Sequence, residues 1–126
     1  MNVRSGHIRF DKRVKYGDLV PIYTELYHRF LEETNQYPEE ESEFVDVVLQ
    51  KNLKDLKENR KPEGFNRAGN MRMVFPISEQ VEFYLYGATR SSEVARVTES
   101  MSRLLKKGGL KHEVAWDRMT LYEGRR

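Results

Sequence analysis

The segment from His7 to Tyr16 sets the first limit on what this chain can fold into. Ile8, Phe10, Val14 and Tyr16 share one parity, broken only by Lys12, while His7, Arg9, Asp11, Arg13 and Lys15 hold the other. Successive side chains of a strand point to opposite faces, so this alternation predicts a strand with one buried face and one basic face.

The period then changes. Leu19, Ile22, Tyr23, Leu26, Tyr27, Phe30 and Leu31 recur at helical spacing behind a start at Gly17-Asp18, with Pro21 tolerable in the first turn and a fade near Asn35. A second helix is marked at both ends: Pro38 and Glu39 to Glu41 open it, and Lys54, Lys57, Arg60 and Lys61 close it, as the helix dipole favours. Its apolar stripe is Val45, Val48, Leu49, Leu53 and Leu56. From Lys61 to Asn70 the chain reads KPEGFNRAGN, a loop by its Pro, Gly and Asn content.

Two more strands are expected. Met71, Met73, Phe75 and Ile77 alternate with polar or smaller residues, then Val81, Phe83 and Leu85 do the same, and Ile77 to Gln80 connects them as a hairpin. Ser91 caps a third helix with Glu93 in its first turn and the stripe Val94, Val97, Met101, Leu104. Gly108-Gly109 stops it. Leu110 to Tyr122 reads as a last strand whose apolar parity shifts from Val114 and Trp116 to Met119 and Leu121, which predicts a bulge near Asp117-Arg118.

The element order is thus β-α-α-β-β-α-β over one domain, residues 1–126. With the first two helices taken as one enlarged crossover, it is the α+β, ferredoxin-like split β-α-β arrangement: an antiparallel sheet with helices on one face and the other face open. Such a fold hosts many functions, so the function is argued from the residues on the open face.

Several chemistries are weakly supported. The chain has no cysteine, which removes thiolate nucleophiles, disulfides and Cys-based metal sites. Its three histidines stand in no H-E-x-x-H pattern, and no G-x-S-x-G occurs. G-x-x-x-x-G runs from Gly64 to Gly69, but Asn70 and Met71 stand where a phosphate loop needs Lys and Ser or Thr. No Ca2+ loop spacing accompanies the acidic Glu39 to Glu43. The sequence therefore favours a binding protein over an enzyme, with no catalytic residue, metal ligand or cofactor assigned. No apolar run is long enough to span a membrane, and the absence of a leader and of Cys points to the cytoplasm.

The 126 residues carry 22 Lys plus Arg against 20 Asp plus Glu, a net charge of +2, but the charges are segregated. Residues 21–50 hold one basic and eight acidic groups, whereas residues 51–73 hold seven basic and three acidic. The expected open face presents Arg9, Arg13 and Lys15 beside Tyr84 and Tyr86, with Arg72 further out and Lys61 and Arg67 on the loop. Basic groups neutralise phosphates and tyrosine rings stack on unpaired bases. The leading expectation is a small accessory or regulatory protein that binds RNA or single-stranded DNA through these eight residues. The strand QVEFYLYG lacks the aromatic signature of RNA-recognition modules. The alternative is a protein–protein assembly or regulatory subunit that forms a homo-oligomer through the same face, since exposed Tyr with Arg is also an interface composition.

Overall fold

The computed structural model describes residues 3–36, 42–67, 69–87 and 91–118. It is an α+β fold in which three helices accompany a five-stranded antiparallel open sheet. Strand β1 spans Ser5–Phe10, a 3-10 turn spans Tyr16–Leu19, and helices α1 and α2 span Val20–Glu33 and Ser42–Lys57. Strands β2, β3 and β4 follow at Gly64–Phe65, Arg72–Val74 and Glu82–Tyr86, then helix α3 at Ser91–Lys107 and strand β5 at His112–Trp116. The strand order is β2-β3-β4-β1-β5, and every neighbouring pair runs antiparallel.

The helices end alike. Asn35, Asn59 and Gly109 all adopt positive φ (54°, 57° and 79°). In each case the next amide reaches back to a carbonyl five residues earlier: Gln36 to Leu31, Arg60 to Asp55, Leu110 to Leu105. That is the left-handed stop in which the last turn's carbonyls find donors, and Asn substitutes for Gly because it tolerates this region.

The buried core lies between the helices and one sheet face. Ile8, Phe10, Met73, Phe83 and Leu85 from the strands, and Tyr23, Leu26, Tyr27, Phe30, Val97 and Met101 from the helices, are fully buried. Phe65 of β2 meets the rings of Tyr27 and Phe30, and Phe75, just past β3, meets Tyr23 and Phe83. Helix α3 crosses β1 at Gly6, where an added Cβ would lie 2.0 Å from Thr98 Oγ1. Only a residue without a side chain permits that approach.

One sheet edge is closed by a side chain. Asn52 of α2, itself buried, donates to Gly64 O at 2.8 Å and accepts from Gly64 N at 3.2 Å. Its amide thus takes the place of a neighbouring strand on β2, and the same nitrogen donates to Tyr23 Oη at 2.8 Å.

The structure differs from the sequence-based expectation in four places. The first strand ends at Phe10 rather than running to Tyr16, because Val14 N bonds Asp11 O in a turn and Asp11 Oδ1 accepts from Arg13 N. The 61–70 loop contains β2. Ile77, expected on the buried parity, is 91 % exposed because β3 stops at Val74. The last strand, expected from Leu110, starts at His112 and β5 stops at Trp116, with Asp117 at φ 55°; the stretch beyond the expected bulge lies outside the described residues. The expectations for Glu39 to Glu41, Met119 and Leu121 fall outside the described residues.

Replacing Gly6 by Ala forces α3 off β1 and is expected to cost about 1–3 kcal/mol, the usual range for overpacking. Adding Thr98→Ala, which removes the nearest obstructing atom, should recover part of that loss in urea unfolding. Equal stability of Gly6→Ala and the parent would show that the contact does not constrain the helix.

Candidate functional site

The strand register fixes which side chains share the face turned away from the helices. Tyr84 lies opposite His7 in β1 and Val74 in β3; Tyr86 lies opposite Ser5 and Arg72; Arg9 lies between Glu82 of β4 and Glu113 of β5. Ser5, His7, Arg9, Arg72, Tyr84 and Tyr86 therefore occupy one surface, as period-2 alternation requires.

His7 is fully buried on that surface, in contact with the Tyr84 ring at 5.2 Å between centroids. Its Nε2 lies 2.8 Å from Ser5 Oγ and accepts the Arg118 amide at 3.2 Å. An acceptor nitrogen carries no proton, so this geometry favours the neutral ring. Burial lowers the His7 pKa to about 4, against the opposing pull of Glu82. His7 thus contributes no positive charge at neutral pH.

Arg9 is more tightly held than a surface arginine. Its Nη2 donates to Gln80 Oε1 at 2.9 Å, its Nε lies 4.0 Å from Glu82 Oε1 and its Nη1 lies 3.8 Å from Glu113 Oε1. Glu82 is 2 % exposed, so one partner of Arg9 is a buried carboxylate. A buried charge requires such compensation.

Beyond Arg9 the face runs into a cleft of about 630 Å³ where β1 ends. Arg9, Lys12, Arg13, Gln80, Lys111 and His112 line it, together with the backbone neighbours Phe10 and Asp11 and with Glu113. Arg13 is tied to Asp11 through Nε at 3.1 Å, and the Arg13 amide and guanidinium hold the Asp11 carboxyl below the usual range. Lys12 and Lys111 are exposed and enter no ion pair among the described residues. His112 is half-buried and pinned at both nitrogens: Nδ1 to Leu110 O at 2.8 Å, Nε2 to Ser102 Oγ at 2.7 Å. Burial lowers its pKa; the bond to Leu110 opposes this and nearby Lys106 adds to it. The cleft's positive charge is therefore carried by the Arg and Lys side chains.

Of the eight residues singled out in the sequence, Arg9, Arg72, Tyr84 and Tyr86 share the open face. Arg13 and Lys15 lie in the turn that follows β1, and Arg13 joins the cleft. Lys61 and Arg67 sit instead beside α2 and β2. Arg67 stacks over the Phe44 ring at 4.6 Å and, with Phe44, Val48, Lys51, Asn52 and Phe65, borders a separate cavity of about 300 Å³. Arg72 donates to Asn66 Oδ1 at 3.2 Å. Gln80 was not singled out, and Lys12 was noted only as the one residue that breaks the first strand's alternation; it sits in the turn just past that strand's end.

No family model matches the chain, and no curated protein or solved structure is significantly similar to it.

The His7 environment gives a signed pH dependence. Its folded pKa of about 4 lies below the unfolded value of 6.5, so the unfolded chain binds a proton that the folded chain refuses. The associated stability is complete above pH 6.5 and is lost as pH falls toward 4, roughly 2 kcal/mol of it by pH 5. Urea unfolding of the parent and of His7→Gln at pH 7.5 and 5 should show the parent losing more stability by about that amount. Parallel losses would mean that His7 is not held neutral.

Proposed function

We propose that this protein binds single-stranded nucleic acid, RNA or DNA, as a non-enzymatic accessory or regulatory protein. The observation that carries the reading is the cleft where β1 ends, which continues the face bearing Tyr84 and Tyr86 and gathers Arg9, Lys12, Arg13 and Lys111. Lys12 and Lys111 contact backbone phosphates there, and Arg13, paired with Asp11, lines the same cleft. Tyr86, 39 % exposed, and the half-buried Tyr84 supply ring faces on which unpaired bases stack. Arg9, whose charge is compensated by Glu82 and Glu113, orients Gln80 and the cleft wall rather than providing net charge.

The fold part of this proposal is the ferredoxin-like arrangement. In support, with the two-residue β2 set aside, β1 and β4 are central and β3 and β5 flank them, all antiparallel. That order sets Tyr84 opposite His7 and Tyr86 opposite Ser5, on the face turned away from the helices.

Fluorescence anisotropy with labelled single- and double-stranded DNA and RNA, at several salt concentrations, tests the function. Affinity for single strands should fall as salt rises, and Lys12→Ala or Lys111→Ala should each reduce the salt slope by about 0.7. Tyr86→Ala should weaken binding by about 1–3 kcal/mol with the slope unchanged. Absence of binding at low salt would overturn the proposal and turn attention to assembly through the same face.

A further inference from the structure

We infer that the protein self-associates through the outer edge of β5, two copies joining their sheets across a twofold axis at Val114. The interaction is separate from the tyrosine face and does not depend on nucleic-acid binding.

The two sheet edges are treated unequally. At β2 both polar backbone groups of Gly64 are taken by Asn52. At β5 no such guard exists among the described residues. Asp11 N bonds Lys111 O and Asp117 N bonds Ser5 O, so Lys111 and Asp117 turn their backbone groups toward β1. Antiparallel bonding alternates from residue to residue. Glu113 and Ala115 therefore also face β1, while His112, Val114 and Trp116 direct N–H and C=O outward. No described residue occupies those outward groups, and β5 contains neither Pro nor a bulge. An unguarded edge of this kind is a template for another strand.

The sequence of β5 then selects its partner. Antiparallel pairing of β5 with a copy of itself about Val114 sets Val114 opposite Val114, His112 opposite Trp116 and Glu113 opposite Ala115. The single charged residue of the strand thus meets a small neutral one and never its own copy. About six new backbone hydrogen bonds form, from three outward residues on each strand. Val114 and Trp116 are half-buried within one chain and lie on the helix side, where the second copy would cover them further. Helix α3 crosses the sheet at Gly6 of β1, one strand in from this edge. A twofold edge-to-edge contact is closed: it joins two sheets into one and stops.

Sedimentation of the full chain from micromolar to submillimolar concentration is the test, with Val114→Pro, Ala115→Glu and Ala115→Lys alongside. The parent should reach twice the monomer mass as concentration rises. Val114→Pro removes an outward N–H and none of the bonds to β1, so it should leave the fold intact by circular dichroism and abolish the dimer. The Ala115 pair checks the register without disturbing the backbone. Ala115→Glu places like charges opposite Glu113 twice and should raise Kd about tenfold, whereas Ala115→Lys should leave it equal or lower. A parent that stays monomeric throughout overturns the inference. So does a dimer that Ala115→Glu and Ala115→Lys affect alike, or one lost only with Tyr84→Asp.

Discussion

The contact between α3 and β1 at Gly6 decides which strand residues face the helix layer and which face away from it. Because a Cβ at Gly6 would lie 2.0 Å from Thr98 Oγ1, the helix backbone sits directly on this interior strand. Ile8 and Phe10, on the same parity, are then driven into the helix layer, and Ser5, His7 and Arg9 are left on the other side. With β1 placed between β4 and β5, that parity is transmitted sideways: Phe83 and Leu85 follow Ile8 inward, while Tyr84 and Tyr86 follow His7 outward. The face proposed to bind is the geometric remainder of this packing choice.

Electrostatics then refines the surface. A strand face with His7, Arg9, Arg13 and Lys15 reads as strongly basic in one dimension. In three dimensions His7 is neutral, Arg9 is compensated by Glu82 and Glu113, and Arg13 is compensated by Asp11. Positive charge is displaced to Lys12 and Lys111, at the end of the sheet rather than its middle. Aromatic and ionic functions are thereby separated along the strand direction, with the rings toward the Tyr86 end and the lysines toward the Phe10 end.

The sequence carried the parts of this architecture that have a period. The parity of Ile8 and Phe10, of Met71, Met73 and Phe75 and of Val81, Phe83 and Leu85, and the helical stripes, all rest on repeats that burial imposes. What had no period was not legible. Gly64–Phe65 is too short to alternate, so β2 was hidden in a loop. Val14 and Tyr16 kept the first strand's parity by coincidence beyond a turn made by Asp11. The partners of Arg9 come from residues 80, 82 and 113, and cross-strand neighbours are set by register, not by sequence spacing. The cleft likewise joins residues 9–13, 80 and 111–113.

The interior position of β1, between β4 and β5, also bears on how the chain reaches this state. Its two neighbours, β4 and β5, begin at Glu82 and His112, so β1 is flanked by strands completed much later. During synthesis both sides of β1 must wait, and its apolar Ile8 and Phe10 wait with them. The local helical pair α1–α2 forms contacts of short sequence separation and can organise earlier, but sheet closure needs loops of most of the chain's length. Long-range pairing of this kind places folding on the slow side for a domain of this size, milliseconds or longer. The charged Arg9, Asp11, Lys12 and Arg13 flank these two apolar residues, a pattern that disfavours pairing of a waiting strand with a wrong edge.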